Sequence, residues 1–110
     1  MRDKYNMNLI LEDYSLLRTT INEIGLIEKI TNDEFIDFQK QMDQSKIKSI
    51  HTDQGYLTAV QLMLDNKTIN ICFNFLIKEL QYREENNYIL EQDDLMRLSN
   101  QFKDKIKSVA

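Results

Sequence analysis

Apolar residues recur at helical spacing along most of the chain. Met7, Ile10, Tyr14, Leu17, Ile21 and Ile24 are separated by three, four, three, four and three positions, the a and d sites of a heptad pattern. They predict a first helix over about 4–24, closed by Gly25, which offers the left-handed closing conformation. Thr31 and Glu34 have the spacing of a capping box, with Ile30 and Phe35 placed as a hydrophobic staple. A second helix over 31–45 follows, with Phe35, Phe38 and Met42 on its inner side. Residues 46–51 lack helical periodicity and read as a loop. Thr52 is placed to cap a third helix over 52–65 carrying Tyr56, Leu57, Val60, Met63 and Leu64, although Gly55 in its first turn costs about 1 kcal/mol relative to alanine.

Between 69 and 77 two periods compete. Ile69, Ile71, Phe73, Phe75 and Ile77 alternate with Asn70, Cys72, Asn74 and Leu76, the mark of a strand, and a hairpin over 56–77 turning at Asp65-Asn66 would make the fold α+β. The same residues form a broad helical stripe of Ile69, Cys72, Phe73, Leu76, Ile77 and Leu80 opposite a narrow polar line. Helix formers continue to Glu85 with no turn residue after Ile77, so the helical period is favoured, over 68–86. After Asn86-Asn87 a fifth helix is expected over 91–108, with acids at its amino end and lysines at its carboxyl end, matching the helix dipole. The expected fold is a compact all-α antiparallel bundle of five helices, one domain spanning 1–110.

Composition agrees with a globular domain. The 110 residues are 42% hydrophobic and 29% charged, with no proline and two glycines, too few turn formers for an all-β chain. No apolar run approaches a bilayer span and no signal-peptide core precedes the first element, so a soluble, cytoplasmic protein is expected. Ten lysines against four arginines and ten asparagines and thirteen isoleucines against two alanines suggest an AT-rich coding sequence of bacterial or phage type.

Candidate chemistry is sparse. One cysteine, Cys72, excludes an internal disulfide or a site of two thiolates, and its apolar helix makes it a small hydrophobe rather than a nucleophile. His51 is the single histidine; a Cys72/His51 nucleophilic pair is disfavoured because Cys72 lies in the most apolar helix, and no glutamate is followed three residues later by a histidine, as a helical di-iron site requires. Two isolated glycines cannot form a phosphate-cradling loop. The acid pairs Glu12-Asp13 and Asp93-Asp94 are adjacent on helices, diverge by about 100°, and read as solvated. No catalytic, cofactor-binding or metal residue is assigned, and the chain is not expected to be an enzyme.

Two surface features remain. Glu84, Glu85, Glu91, Asp93 and Asp94 surround the turn between the last two helices together with Tyr82, Arg83 and Tyr88, and tyrosine and arginine are common interface anchors. Lys40, Lys46, Lys48 and His51 form a smaller basic group suited to phosphate or an acidic partner. A formal charge of −4 weighs against nucleic acid. The expected function is therefore binding to another protein, as an inhibitor, immunity or regulatory factor, with the acidic tyrosine-bearing turn as its site. A nucleic-acid-binding domain using the lysines is the alternative. Self-association through the first helix's seam is a minor further possibility.

Overall fold

The computed structural model describes residues 4–27 and 32–109. Their order is β1 (Lys4–Ile10), α1 (Leu11–Ile27), α2 (Asn32–Asp43), β2 (Lys46–Thr52), β3 (Gly55–Asp65), α3 (Asn66–Glu85) and α4 (Gln92–Val109). The fold is α+β, a three-stranded antiparallel sheet of order β1-β3-β2 with helices against one face. The expectation of an all-α bundle is wrong.

Each correction has a local cause. The seam from Met7 to Ile24 is not one helical face, because Tyr5, Met7 and Leu9 alternate with Lys4, Asn6 and Asn8 and form β1. Only from Leu11 does the chain turn helical, and Leu17 and Ile21 are then buried in the core. Ile10 ends the strand, Tyr14 is half-buried on α1, and the Ile24 side chain lies outside the description. Gly25 falls inside α1 instead of closing it. The loop expected over 46–51 is β2, and the third helix over 52–65 is β3. Gly55 sits at the end of the two-residue turn Asp53-Gln54, at φ +113, where a side chain would be strained. Thr52 closes that turn by donating from Oγ1 to the Gly55 carbonyl at 2.8 Å.

The hairpin considered over 56–77 is also displaced. Its first half is β3, but that strand pairs with β2 and β1, and residues 66–77 belong to α3. The strand becomes a helix with no connecting residues. Asp65 makes this possible: its carboxylate accepts from the Thr68 amide at 2.8 Å, capping α3. Gln41 of α2 locks the joint, accepting from the Asp65 amide at 2.9 Å and donating to Thr68 Oγ1 at 2.8 Å. All three side chains are buried, so the junction is a polar core element with its hydrogen bonds made. The capping residues Ile30 and Thr31 expected for the second helix lie outside the described residues.

The core is one cluster between sheet and helices. Val60, Leu62 and Leu64 of β3 stand opposite Leu9, Met7 and Tyr5 of β1, and the same face meets Leu17 and Ile21, Phe38 and Met42, Ile69, Cys72 and Leu76, and Leu95, Leu98 and Phe102. Those helical residues recur at three and four, as a buried stripe requires. The opposite face of the sheet carries Asn6, Asn8, Met63, Lys46 and Lys48, all exposed. Among the described residues no helix is long and apolar enough to cross a membrane.

Candidate functional site

The turn between α3 and α4 is built, residue by residue, to hold a loop open to solvent. Asn86 ends α3 and Asn87 takes φ 54, the left-handed conformation asparagine tolerates. The Tyr88 amide donates to the Arg83 carbonyl at 2.8 Å and the Asn87 amide to the Glu84 carbonyl at 3.3 Å, which together make a Schellman closure. Arg83 then reinforces that closure with its side chain. Its Nε donates to Glu79 at 2.9 Å, its Nη1 to the Leu90 carbonyl, and its guanidinium lies 5.0 Å from the Tyr88 ring centroid. The cation therefore grips the loop at residues 88 and 90 while itself buried.

What the clamp presents is apolar. Ile89 is 80% exposed and Leu90 57%, beside exposed Tyr82 and Tyr88. Glu84, Glu85, Glu91 and Asp93 are exposed around them. Next to the loop, α1 and α3 enclose a cleft of about 480 Å³ lined by Thr19, Thr20 and Glu23 on one side and by Glu79, Tyr82, Arg83, Tyr88 and Glu91 on the other. Among the described lining residues three carboxylates, Glu23, Glu79 and Glu91, stand against one guanidinium, Arg83.

The structure thus gathers Tyr82, Arg83, Tyr88 and Glu91 at one cleft, and places Glu84, Glu85 and Asp93 on the surrounding surface. Asp94 is different: it pairs with Arg97 at 2.9 Å, and Arg97 also holds Asp13 at 2.6 Å. Asp13, read from the sequence as solvated, is 2% exposed and accepts in addition from Gln101. Its hydrogen bond to Arg97 is the leading cause that raises that guanidinium's pKa further. Ile89 and Leu90 were not singled out from the sequence; their position two and three residues after the helix-closing pair Asn86-Asn87 is the signal that could have found them. The cleft's α1 wall, by contrast, has no local signal at all.

The basic group is dispersed. Lys46 and Lys48 project from one face of β2, whereas His51 lies on the other face, edge-on to Tyr56 with centroids 5.0 Å apart. Lys40 is exposed on α2. Cys72 is fully buried, and burial, with Asp65 adding to it, pushes its thiol well above the usual range. Among the described residues no group of three or more His, Cys, Asp and Glu could hold a metal ion. No family model matches the chain, and no curated protein or solved structure matches it.

Proposed function

We propose that this chain is a protein-binding module of the inhibitor or regulatory kind, and that its contact is the α3–α4 loop. One observation carries the reading: Ile89 and Leu90 are held out in water by a loop that Arg83 fixes from behind. Exposed apolar residues on a fastened loop lose little conformational entropy on binding, which favours recognition. The acidic rim and the carboxylates of the cleft would steer a basic partner toward them.

Ile89 and Leu90 make a cleaner test than the tyrosines, because their side chains project away from the core. A photo-crosslinking residue at position 89 should capture one discrete partner in cells of the source organism, whereas the same residue at exposed Asn74 should not. The Ile89→Ser/Leu90→Ser variant, verified as folded, should lose that partner in pulldown. A partner retained by the folded double variant, or an equal yield from position 74, overturns the reading.

A further inference from the structure

The β2 edge of the sheet is a second surface, independent of the α3–α4 loop. In the order β1-β3-β2, β2 pairs on one side only, with β3. Six of its seven residues, Lys46 to His51, are exposed. The helical layer ends at Val60: that residue is buried, but Ile47 directly opposite it on the same face is 75% exposed. Beyond it Tyr56 is 76% exposed on that face, while Ile50 and Leu57, opposite each other on the reverse face, are also exposed. The hairpin therefore projects past the core with apolar side chains bare on both faces and an unpaired backbone edge. Natural sheets avoid or cover such edges, since they recruit other strands.

Charge selects the occupant. Lys46 and Lys48 stand two positions apart on one face, and β2 holds no acidic residue although the chain as a whole carries −4. Neither lysine makes an ion pair among the described residues. A second copy pairing antiparallel through β2 would bring four lysines to one seam. For nucleic acid the group is thin, because His51 points to the opposite face.

We propose that β2 is the docking edge for an extended segment of a partner protein in which acidic and apolar residues alternate, added to the sheet as a fourth strand. The alternation follows from the period of the strand: acids fall on the face of Lys46 and Lys48, and the intervening apolar residues fall on the face of Ile47. Backbone hydrogen bonds supply the attachment, and the side chains supply the selection. Edge lysines can also serve to repel every incoming strand, and the two roles make opposite forecasts.

Fluorescent seven-residue peptides separate them: alternating valine and glutamate, the same composition with glutamates clustered, and alternating valine and lysine. The wild-type chain should bind the first at least tenfold more tightly than the other two, with slowed amide exchange over 46–52. The Lys46→Glu/Lys48→Glu variant should lose at least tenfold for the glutamate peptide and prefer the lysine peptide. Lys48→Gln should fall between wild type and that variant, which keeps the test decisive should the double reversal fail to fold. Failure to bind any peptide, equal binding of the clustered isomer, or no switch on charge reversal overturns the proposal. So does dimerisation through β2 seen by sedimentation, or displacement of the peptide by an oligonucleotide. The Ile89→Ser/Leu90→Ser variant should bind the peptides as wild type does, so failure here is distinct from failure of the loop reading.

Discussion

Arg97 of α4 reaches back 84 residues to Asp13 of α1 and binds it through two nitrogens, Nη2 at 2.6 Å and Nε at 3.3 Å. The pair ties the last helix to the first across the core, and its two halves differ: the carboxylate is buried, the guanidinium about half exposed. Removing the cation therefore strands a buried charge that keeps only a longer hydrogen bond from Gln101 Nε2, at 3.3 Å, among the described side chains. Arg97→Ala should cost about 1.5–3 kcal/mol, the range for hydrogen bonds to charged groups. Glu12→Gln, at the exposed neighbouring position, should stay within about 0.5. Urea titration checks both.

Strand and helix make different demands on neighbouring positions of β3. Leu62 is fully buried and Met63 is exposed on the other face. Leu62→Ala should cost about 2–5 kcal/mol and Met63→Ala under about 1, read by denaturant midpoints. Comparable large losses at both would contradict a one-sided strand.

Helices α3 and α4 were legible because their buried residues keep a strict spacing over many turns: Ile69, Cys72 and Leu76, then Leu95, Leu98 and Phe102. The strands were not, for reasons visible in particular residues. Met7 and Ile10 are three apart and extend the period of α1 backward by coincidence, hiding the alternation of Tyr5, Met7 and Leu9. In β3, Val60, Leu62 and Leu64 alternate, but Leu57 and Met63 on the outer face are also apolar, so the polar half of the signal is missing. β2 is exposed on both faces and has no burial period to detect. The absence of a connector after Ile77 argued against a strand there, yet β1 and β3 each pass into a helix at the next residue. Of the site, the acidic rim and Arg83 could be read from the sequence. The α1 wall of the cleft arises from tertiary packing.

Gly55 carries the β2–β3 turn by backbone conformation alone, since a Cβ there would meet nothing within 4 Å. Gly55→Ala should consequently destabilise by about 1–3 kcal/mol through strain at positive φ rather than through a clash. A thermal melt of the variant, with chemical shifts confined to 52–57, would show this.

Cys72 links stability to alkaline pH. Its folded pKa is raised, chiefly by burial, above the roughly 8.5 of an unfolded thiol. Below that value both states hold the proton and the group adds no pH dependence. Above it the unfolded chain releases the proton while the folded chain keeps it, so stability falls by about 1.4 kcal/mol per pH unit from this group. Denaturation at pH 8 and pH 10 should show a steeper loss in wild type than in Cys72→Ala, and the native thiol should react with a thiol reagent only as the chain unfolds.

Arg83 is where fold and proposed contact meet. Its guanidinium is shared among Glu79, the Leu90 carbonyl and the Tyr88 ring, three partners that a lysine ammonium cannot satisfy in the same plane. The Schellman closure of α3 uses backbone groups only and should survive substitution of the side chain. Arg83→Lys should therefore leave the helix ends intact, release residues 88–90, and cost about 1–3 kcal/mol for the buried charge-assisted bonds. Amide exchange should quicken in 88–91 with little change in the centre of α3. If the loop is the contact surface, partner binding should weaken in Arg83→Lys with Ile89 and Leu90 still present, because the ordering they need on binding is no longer prearranged. Unchanged exchange in the loop would show that Arg83 does not hold it.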